Sequence, residues 1–201
     1  MANKKFAIGC LMVVLVGLLI AAVGVTGIYN SLVGLDQKVQ AQWGQVENTY
    51  QRRADLIPNL VETVKGAAAF EQDTFTAVTE ARAKVGQVQV NAGQLNPDAF
   101  AKFQQAQDGL SSALSRLLVV VEKYPELKAT ENFKELQAQL EGTENRITVE
   151  RMRFNEAAQA FNTRRNRFPA VIIAGFFGSK FADKPYFKAQ AGAETAPKVK
   201  F

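Results

Sequence analysis

The amino-acid sequence predicts an all-α protein, in which an N-terminal transmembrane helix precedes an antiparallel four-helix bundle of long helices. Three observations predict this fold. Residues 6–28 form an uncharged apolar run. Apolar residues in the remainder recur in steps of three and four, which is the period of an α-helix. Alternation typical of a strand is confined to a short stretch at residues 88–90. The 201 residues suffice for one domain with a core and an anchor.

The composition excludes several classes of site. The net charge is +5 and the pI is about 9.3, which is mildly basic. The chain has no histidine and one cysteine, Cys10. An intramolecular disulfide, a Cys/His zinc site and a histidine base are therefore excluded. We expect neither a metal nor a cofactor.

The apolar run at residues 6–28 is long enough to cross a membrane. At 1.5 Å per residue it extends about 35 Å, against about 30 Å for a hydrocarbon core. A cleaved signal peptide is the alternative, but its apolar region is about 7–15 residues long. An uncleaved anchor is therefore favoured. Its membrane-facing residues are expected to include Phe6, Leu11, Leu15, Leu18, Ile28 and Tyr29.

Charges around this run predict the orientation of the chain. Lys4 and Lys5 precede it, whereas Lys38 is the one cation in the dozen residues that follow, near Asp36. The positive-inside rule then places the N-terminus in the cytoplasm. We predict a single-pass protein of the cell membrane whose bulk is extracytoplasmic, in the periplasm.

The first long helix of the bundle continues from the anchor. Apolar or small residues recur on one face from Leu32 to Ala68, with Trp43 and Ile57 among them. Pro58 lacks the amide donor that a continuous helix uses. Two interpretations stay open: a bend in one helix, or a break with an immediate restart capped by Asp55.

Three further helices follow, and turn residues mark their ends. The second is predicted at about residues 71–86. The third begins at Asn96-Pro97, an N-cap followed by proline at the first helical position, and runs to about Tyr124. The fourth begins at Thr130-Glu131 and ends before Pro169. Helices joined by short loops alternate up and down, so the fourth should end beside the membrane.

The C-terminal part begins with an uncharged run from Phe168 to Gly178, which is too short to span a bilayer. It either caps the base of the bundle or lies in the membrane interface. We therefore divide the chain into residues 1–29 (cytoplasmic N-terminus and anchor), 30–168 (bundle), 169–188 (capping or membrane-proximal segment) and 189–201 (flexible tail). The candidate membrane-surface residues are Arg164, Arg165, Arg167, Phe168, Phe176 and Phe177.

Several blocks of the sequence resemble the LemA family. They are "YNSLVGLDQKVQAQWGQVENTYQRRADLIPNLVETVKG", "YPELKATENFKELQAQLEGTENRITVERMRFNEAAQAFNTRRNRFP" and "YFKAQAGAETAPKVKF". The resemblance implies membrane association, one N-terminal span and an antiparallel helical bundle, and it supplies no catalytic residue. Relatives encoded near membrane metallopeptidases make such an enzyme a candidate partner. The family hallmarks in "RRADLIPNL" are a candidate partner surface: Arg52, Arg53, Asp55, Pro58 and Asn59.

The function predicted from these features is a non-enzymatic scaffold or adaptor that acts through helix-mediated interaction or self-assembly at the membrane. Its expected partners are membrane lipid, a second copy of the chain and the metallopeptidase, with no nucleic acid. No phosphate-binding loop occurs, and Glu141, Glu144 and Glu150 are interpreted as solvated surface carboxylates. The alternative function is binding or shaping of lipid by the C-terminal basic and aromatic segment. A hydrolase that relies on carboxylates is the third hypothesis.

Overall fold

A computed structural model describes residues 2–65, 72–93 and 95–188, with side chains described from residue 9 onwards. The predicted all-α class is confirmed, and the described residues contain no strand. Residues 88–90 have irregular backbone. The predicted tail at 189–201 and the core position Ala68 lie outside the described residues. The elements are α1 (Ala2–Lys65), α2 (Gln72–Gln87), α3 (Pro97–Val121), α4 (Pro125–Ala129), α5 (Glu131–Asn166), α6 (Ala170–Phe176) and a 3-10 turn (Gly178–Phe181).

Helix α1 is one uninterrupted helix of 64 residues that passes through Pro58. At 1.5 Å per residue it is about 96 Å long. The structure therefore selects the continuous helix over the break with a restart. Proline removes one backbone hydrogen bond from the helix, and burial of Ile57 and Leu60 on either side stabilises the helical path.

The N-terminal part of α1 is a candidate membrane span. It is long and apolar enough to cross a membrane, and none of its most apolar stretch is buried in the protein. Leu11, Leu15 and Leu18 are exposed, and the first apolar residues that pack on the bundle are Ile28 and Tyr29. The side chain of Phe6 is outside the described ones. Burial thus begins where the apolar run of the sequence ends.

The core consists of two clusters of buried residues along the bundle. The cluster nearer the span surrounds Trp43 with aromatic rings from α3, α5 and the C-terminal segment. The ring centroid of Trp43 lies 5.2 Å from that of Phe103 and 5.6 Å from that of Phe154. The second cluster joins α1, α2, α3, α4 and α5 around Ile57, Leu110, Leu117 and Phe133. Burial of one such side chain contributes about 1.5–3 kcal/mol.

Pairs of contacting residues give the relative directions of the helices. Residue numbers rise along α1 as they fall along α5, and they rise together along α1 and α3. The pairs between α1 and α5 are Ser31 with Arg164, Gln42 with Glu150, and Arg53 with Glu144. The pairs between α1 and α3 are Trp43 with Phe100 and Arg53 with Ser111.

The start of α3 follows from its local sequence, whereas the short helix α4 does not. The side-chain oxygen of Asn96 accepts from the backbone N–H of Asp98 at 2.8 Å, and Pro97 occupies the first turn of α3. The predicted N-cap is therefore confirmed, and such a cap contributes about 1 kcal/mol. The five-residue helix α4, which begins at Pro125, was not predicted. It is a single turn, too short to show a hydrophobic period.

Candidate functional site

Arg53 lies inside the bundle and connects three helices. Its side chain is 1% exposed. Its Nη1 donates to Glu144 Oε1 on α5 at 2.6 Å and to Ser111 Oγ on α3 at 2.7 Å. Its Nη2 donates to the side-chain and backbone oxygens of Gln107 on α3. These are charge-assisted hydrogen bonds, which are stronger than neutral ones. Both terminal nitrogens of the guanidinium are therefore engaged by the chain itself.

Tyr50 lies one turn before Arg53 and shares its environment. The guanidinium carbon of Arg53 is 5.1 Å from the centre of the Tyr50 ring. Burial raises the pKa of the Tyr50 phenol above its ordinary value of 10.0, because the phenolate would lose hydration. Arg151 and Arg53 oppose that rise in pKa through their positive charges. The neutral phenol is thus the form that packs here.

The other candidate partner-surface residues lie on the outside of α1. Arg52, Asp55, Pro58 and Asn59 are exposed, so the structure separates them from Arg53. The two adjacent arginines therefore point in different directions: Arg53 points to α3 and α5, and Arg52 points away from them. Two adjacent positions on a helix lie about 100° apart, so this separation follows from the helical period.

A shallow polar groove runs between α1 and α5 beside Arg52. Its volume is about 420 Å³. Arg52 and Arg146 line it from opposite helices, and none of its lining residues is acidic. The remaining lining residues are polar or small: Gln45, Asn48, Thr49, Gln139, Gly142 and Thr143. Two cations without a lining carboxylate give the groove lining a net positive charge, which favours an acidic ligand.

The C-terminal segment 182–188 is extended, and side-chain amides bind its backbone. Asn162 accepts from the Lys184 N–H at 2.8 Å and donates to the Lys184 carbonyl at 2.9 Å. Asn155 makes the same pair of bonds with Phe187, at 2.9 and 3.0 Å. Gln104 on α3 repeats the pattern at Lys188. The three amides replace the partner strand that an extended backbone otherwise needs.

Two side chains of this segment fix its position on the bundle. Lys184 Nζ lies 2.5 Å from Asp36 Oδ1 on α1, and both side chains are buried. The ring of Phe187 stacks on Trp43 with a centroid distance of 6.1 Å. This arrangement was not predicted from the sequence. Asn155 and Asn162 stand seven residues apart, and each directly follows a buried phenylalanine, Phe154 or Phe161, so that repeat could have indicated it.

The candidate membrane-surface residues surround α6. Ala170, Ile173 and Ala174 on its inner face are buried, whereas Phe168 and Phe176 are 80% and 86% exposed. Phe177 is half-buried, and its ring lies 4.9 Å from that of Tyr29 at the end of the span. The three arginines differ: Arg164 donates to Ser31 Oγ at 3.2 Å, Arg165 pairs with Asp183 at 3.0 Å, and Arg167 is exposed.

The carboxylates singled out in the sequence are not all solvated. Glu150 is 4% exposed, so its interpretation as a surface carboxylate is wrong. It accepts from Gln42 at 2.6 Å and from Arg153 at 3.0 Å, and these bonds compensate for its burial. Glu144 is 44% exposed and pairs with Arg53. In the described parts of the chain, no three His, Cys, Asp or Glu side chains are grouped as metal ligands would be.

Comparisons with known proteins give a family match and several named relatives. Residues 42–201 match the model of the LemA family. Magnetosome protein MamQ 2 of Paramagnetospirillum magneticum is 28% identical over 188 residues, which cover 83% of this chain and 67% of that protein. Magnetosome protein MamQ of Magnetospirillum gryphiswaldense is 28% identical over 184 residues, with the same coverage of both chains.

A more distant relative extends this similarity to another genus. Protein LemA of Metamycoplasma hominis is 21% identical over 145 residues, which cover 72% of this chain and 63% of that protein. The family match spans most of the chain, including the buried Arg53 and the amide-bound segment. The chain belongs to the LemA family.

Proposed function

We propose that this protein is a non-enzymatic scaffold, held at the membrane by a single span, whose helical surface docks other proteins or further copies of the chain. In this proposal the helices α1, α2, α3 and α5 form an antiparallel four-helix bundle on the extracytoplasmic, periplasmic side. The bundle presents its surface at a fixed distance from the membrane. A membrane metallopeptidase is one candidate partner.

The observation that carries the proposal is the continuity of α1. Residues 30–65 continue the helix of the span without a break and extend about 54 Å at 1.5 Å per residue. A flexible linker between anchor and domain would let the domain reorient freely. An uninterrupted helix instead fixes the direction in which each exposed residue of the bundle points.

The buried polar groups of the bundle support a structural role for its interior. Arg53, Glu150 and Asn162 are each bonded to other parts of the chain. Groups that are paired in this way hold helices together and are not free to bind a substrate. The surface is then the part of the molecule left for recognition.

The groove between α1 and α5 is the docking site in this proposal. Arg52 and Arg146 line it without an acidic neighbour among the lining residues, so its partner should present an acidic segment. Charge complementarity of this kind raises association rates and selects partners. Asn48, which lines the groove and is exposed, is a position at which a bound partner would be within reach.

The test is site-specific photo-crosslinking in intact membranes. In one variant a photoreactive residue replaces Asn48. In a second variant, used as the control, it replaces Met152, an exposed position of α5 that does not line the groove. We expect discrete adducts from position 48 and few from position 152. Mass spectrometry of the adducts distinguishes a second copy of this chain from a different protein.

Charge variants show whether the groove is responsible. Arg52→Glu and Arg146→Glu should abolish the adducts from position 48, whereas Lys38→Glu, at an exposed site on α1 outside the groove, should leave them unchanged. Recovery of monomer alone from position 48, or adducts that persist in both groove variants, would contradict the proposal.

A further inference from the structure

An exposed aromatic patch surrounds α6 at the base of the bundle. It consists of Phe168, Val171, Ile172, Phe176 and Phe177, whose exposed fractions are 80%, 41%, 53%, 86% and 44%. The inner face of the same helix is buried on the bundle, so α6 is apolar on both sides. A contiguous apolar surface of this kind marks a site that another apolar phase covers.

The patch lies at the level where the candidate span ends. Tyr29 directly follows the apolar run of residues 6–28, and its ring is 4.9 Å from Phe177 and 5.6 Å from Phe181. Lys180 Nζ donates to the Tyr29 hydroxyl. About one turn of helix separates Ile28 from Ser31, the residue of α1 that accepts a hydrogen bond from Arg164. The patch is thus continuous with the exposed surface of the span.

The charges around the patch match those of an anionic lipid surface. Residues 160–188 contain six cations and one carboxylate, Asp183. Asp183 pairs with Arg165, whereas Arg167 and Lys180 are exposed beside the patch. Cations at the edge of an apolar surface bind headgroup phosphates while the apolar side chains enter the boundary of the acyl chains. A soluble protein partner would not need this position beside the span.

We propose that the aromatic patch inserts into the leaflet from which α1 emerges, with Phe168 and Phe176 at the acyl boundary and Arg167 on an anionic phospholipid headgroup. This second membrane contact rests on the proposed membrane anchoring. It is independent of the docking groove between α1 and α5. Two contacts, one through α1 and one through α6, fix both the height and the tilt of the bundle over the membrane.

The experiment uses the full chain with Cys10→Ser, reconstituted at one copy per lipid nanodisc. A single cysteine carries an environment-sensitive fluorophore in each of three variants: Leu15→Cys in the span, Phe176→Cys in the patch and Met152→Cys on α5. Met152 is 55% exposed, and it lies 12 residues from Arg164, or about 18 Å along α5. Spin-labelled lipids, with the label high on the acyl chain, serve as quenchers in discs of phosphatidylcholine with or without phosphatidylglycerol.

We expect quenching at position 176 to exceed that at position 152 by several-fold, and to fall when phosphatidylglycerol is omitted or when Arg167→Glu is introduced. Equal, low quenching at 176 and 152 would overturn the inference, and if Leu15 is still quenched, the anchor itself stands. A blue-shifted but unquenched probe at 176 would mean that protein covers the patch, which also overturns it. Quenching that is the same with and without phosphatidylglycerol would overturn the role of the anionic headgroup.

Discussion

Replacement of Arg53 by methionine separates a structural arginine from a surface arginine, because Arg52 beside it provides a matched control. Methionine retains an unbranched stem of similar length and removes the guanidinium. Arg53 is 1% exposed and bonded to α3 and α5, whereas Arg52 is exposed. The two variants lose the same charge at adjacent positions. They differ in whether bonds inside the bundle are lost.

The expected magnitude follows from the bonds that are broken. A hydrogen bond that involves a charged group contributes about 1.5–3 kcal/mol, and a buried acceptor left without a donor costs about 1–3 kcal/mol. Gln107 is 2% exposed and would become such an acceptor, whereas Glu144 is 44% exposed and regains water. Relief of the desolvation of the guanidinium opposes these losses. We expect Arg53→Met to lower the free energy of unfolding by about 2–4 kcal/mol.

The assay is urea unfolding of the full chain in mild detergent, followed by tryptophan fluorescence. Trp43 is the one tryptophan of the chain and lies in the core of the bundle, so it reports the bundle and not the span. Arg52→Met should change the free energy of unfolding by no more than about 0.5 kcal/mol, as at other surface sites. If Arg53→Met destabilises the bundle no more than Arg52→Met does, the reasoning about the buried guanidinium is refuted.

Three further predictions concern the buried phenol, the amide-bound segment and the orientation. The raised pKa of Tyr50 means that its phenol ionises above pH 10.0 in an absorbance titration, and Tyr50→Phe should remove that phase; the stability it contributes is present below pH 10.0 and lost as pH rises through its folded pKa. A titration above pH 10.0 that Tyr50→Phe leaves unchanged would contradict this. Asn162→Leu leaves the buried N–H and carbonyl of Lys184 without partners and should lower the free energy of unfolding in urea by about 2–3 kcal/mol. Thr163→Val, on the exposed face, should lower it by less than about 0.5 kcal/mol. Equal effects of the two variants would refute the role of the amide. Asn59→Cys in a Cys10→Ser chain should react with a membrane-impermeant maleimide in intact spheroplasts, and reaction only after lysis would reverse the orientation.

The helices were predictable because their patterns are local. The apolar run at the start, the N-cap at Asn96 and the repeating apolar face of α5 depend on neighbours within a few turns. The continuity of α1 through Pro58 was not predictable, since proline is compatible with a bend or with a restart. Packing of Ile57 and Leu60 on other helices decides between them.

The candidate sites were predicted less well because they depend on contacts between distant residues. Arg53 pairs with Glu144, which lies 91 positions away in the sequence. The sequence does not say which of two adjacent arginines faces inward. Glu150 was misinterpreted for a similar reason, since its donor Gln42 lies 108 positions away. The extended segment 182–188 has no period of its own, and amides on α3 and α5 determine its path.

The central claim, that α1 holds the bundle at the membrane as an uncleaved anchor, is tested most directly by the intact mass of the protein in cell fractions. Membranes are stripped with alkaline carbonate, and the protein in pellet and supernatant is measured by mass spectrometry. We predict that the species in the stripped membranes retains the apolar run at residues 6–28. A shorter species in the supernatant that lacks the residues up to Ile28 would contradict the account.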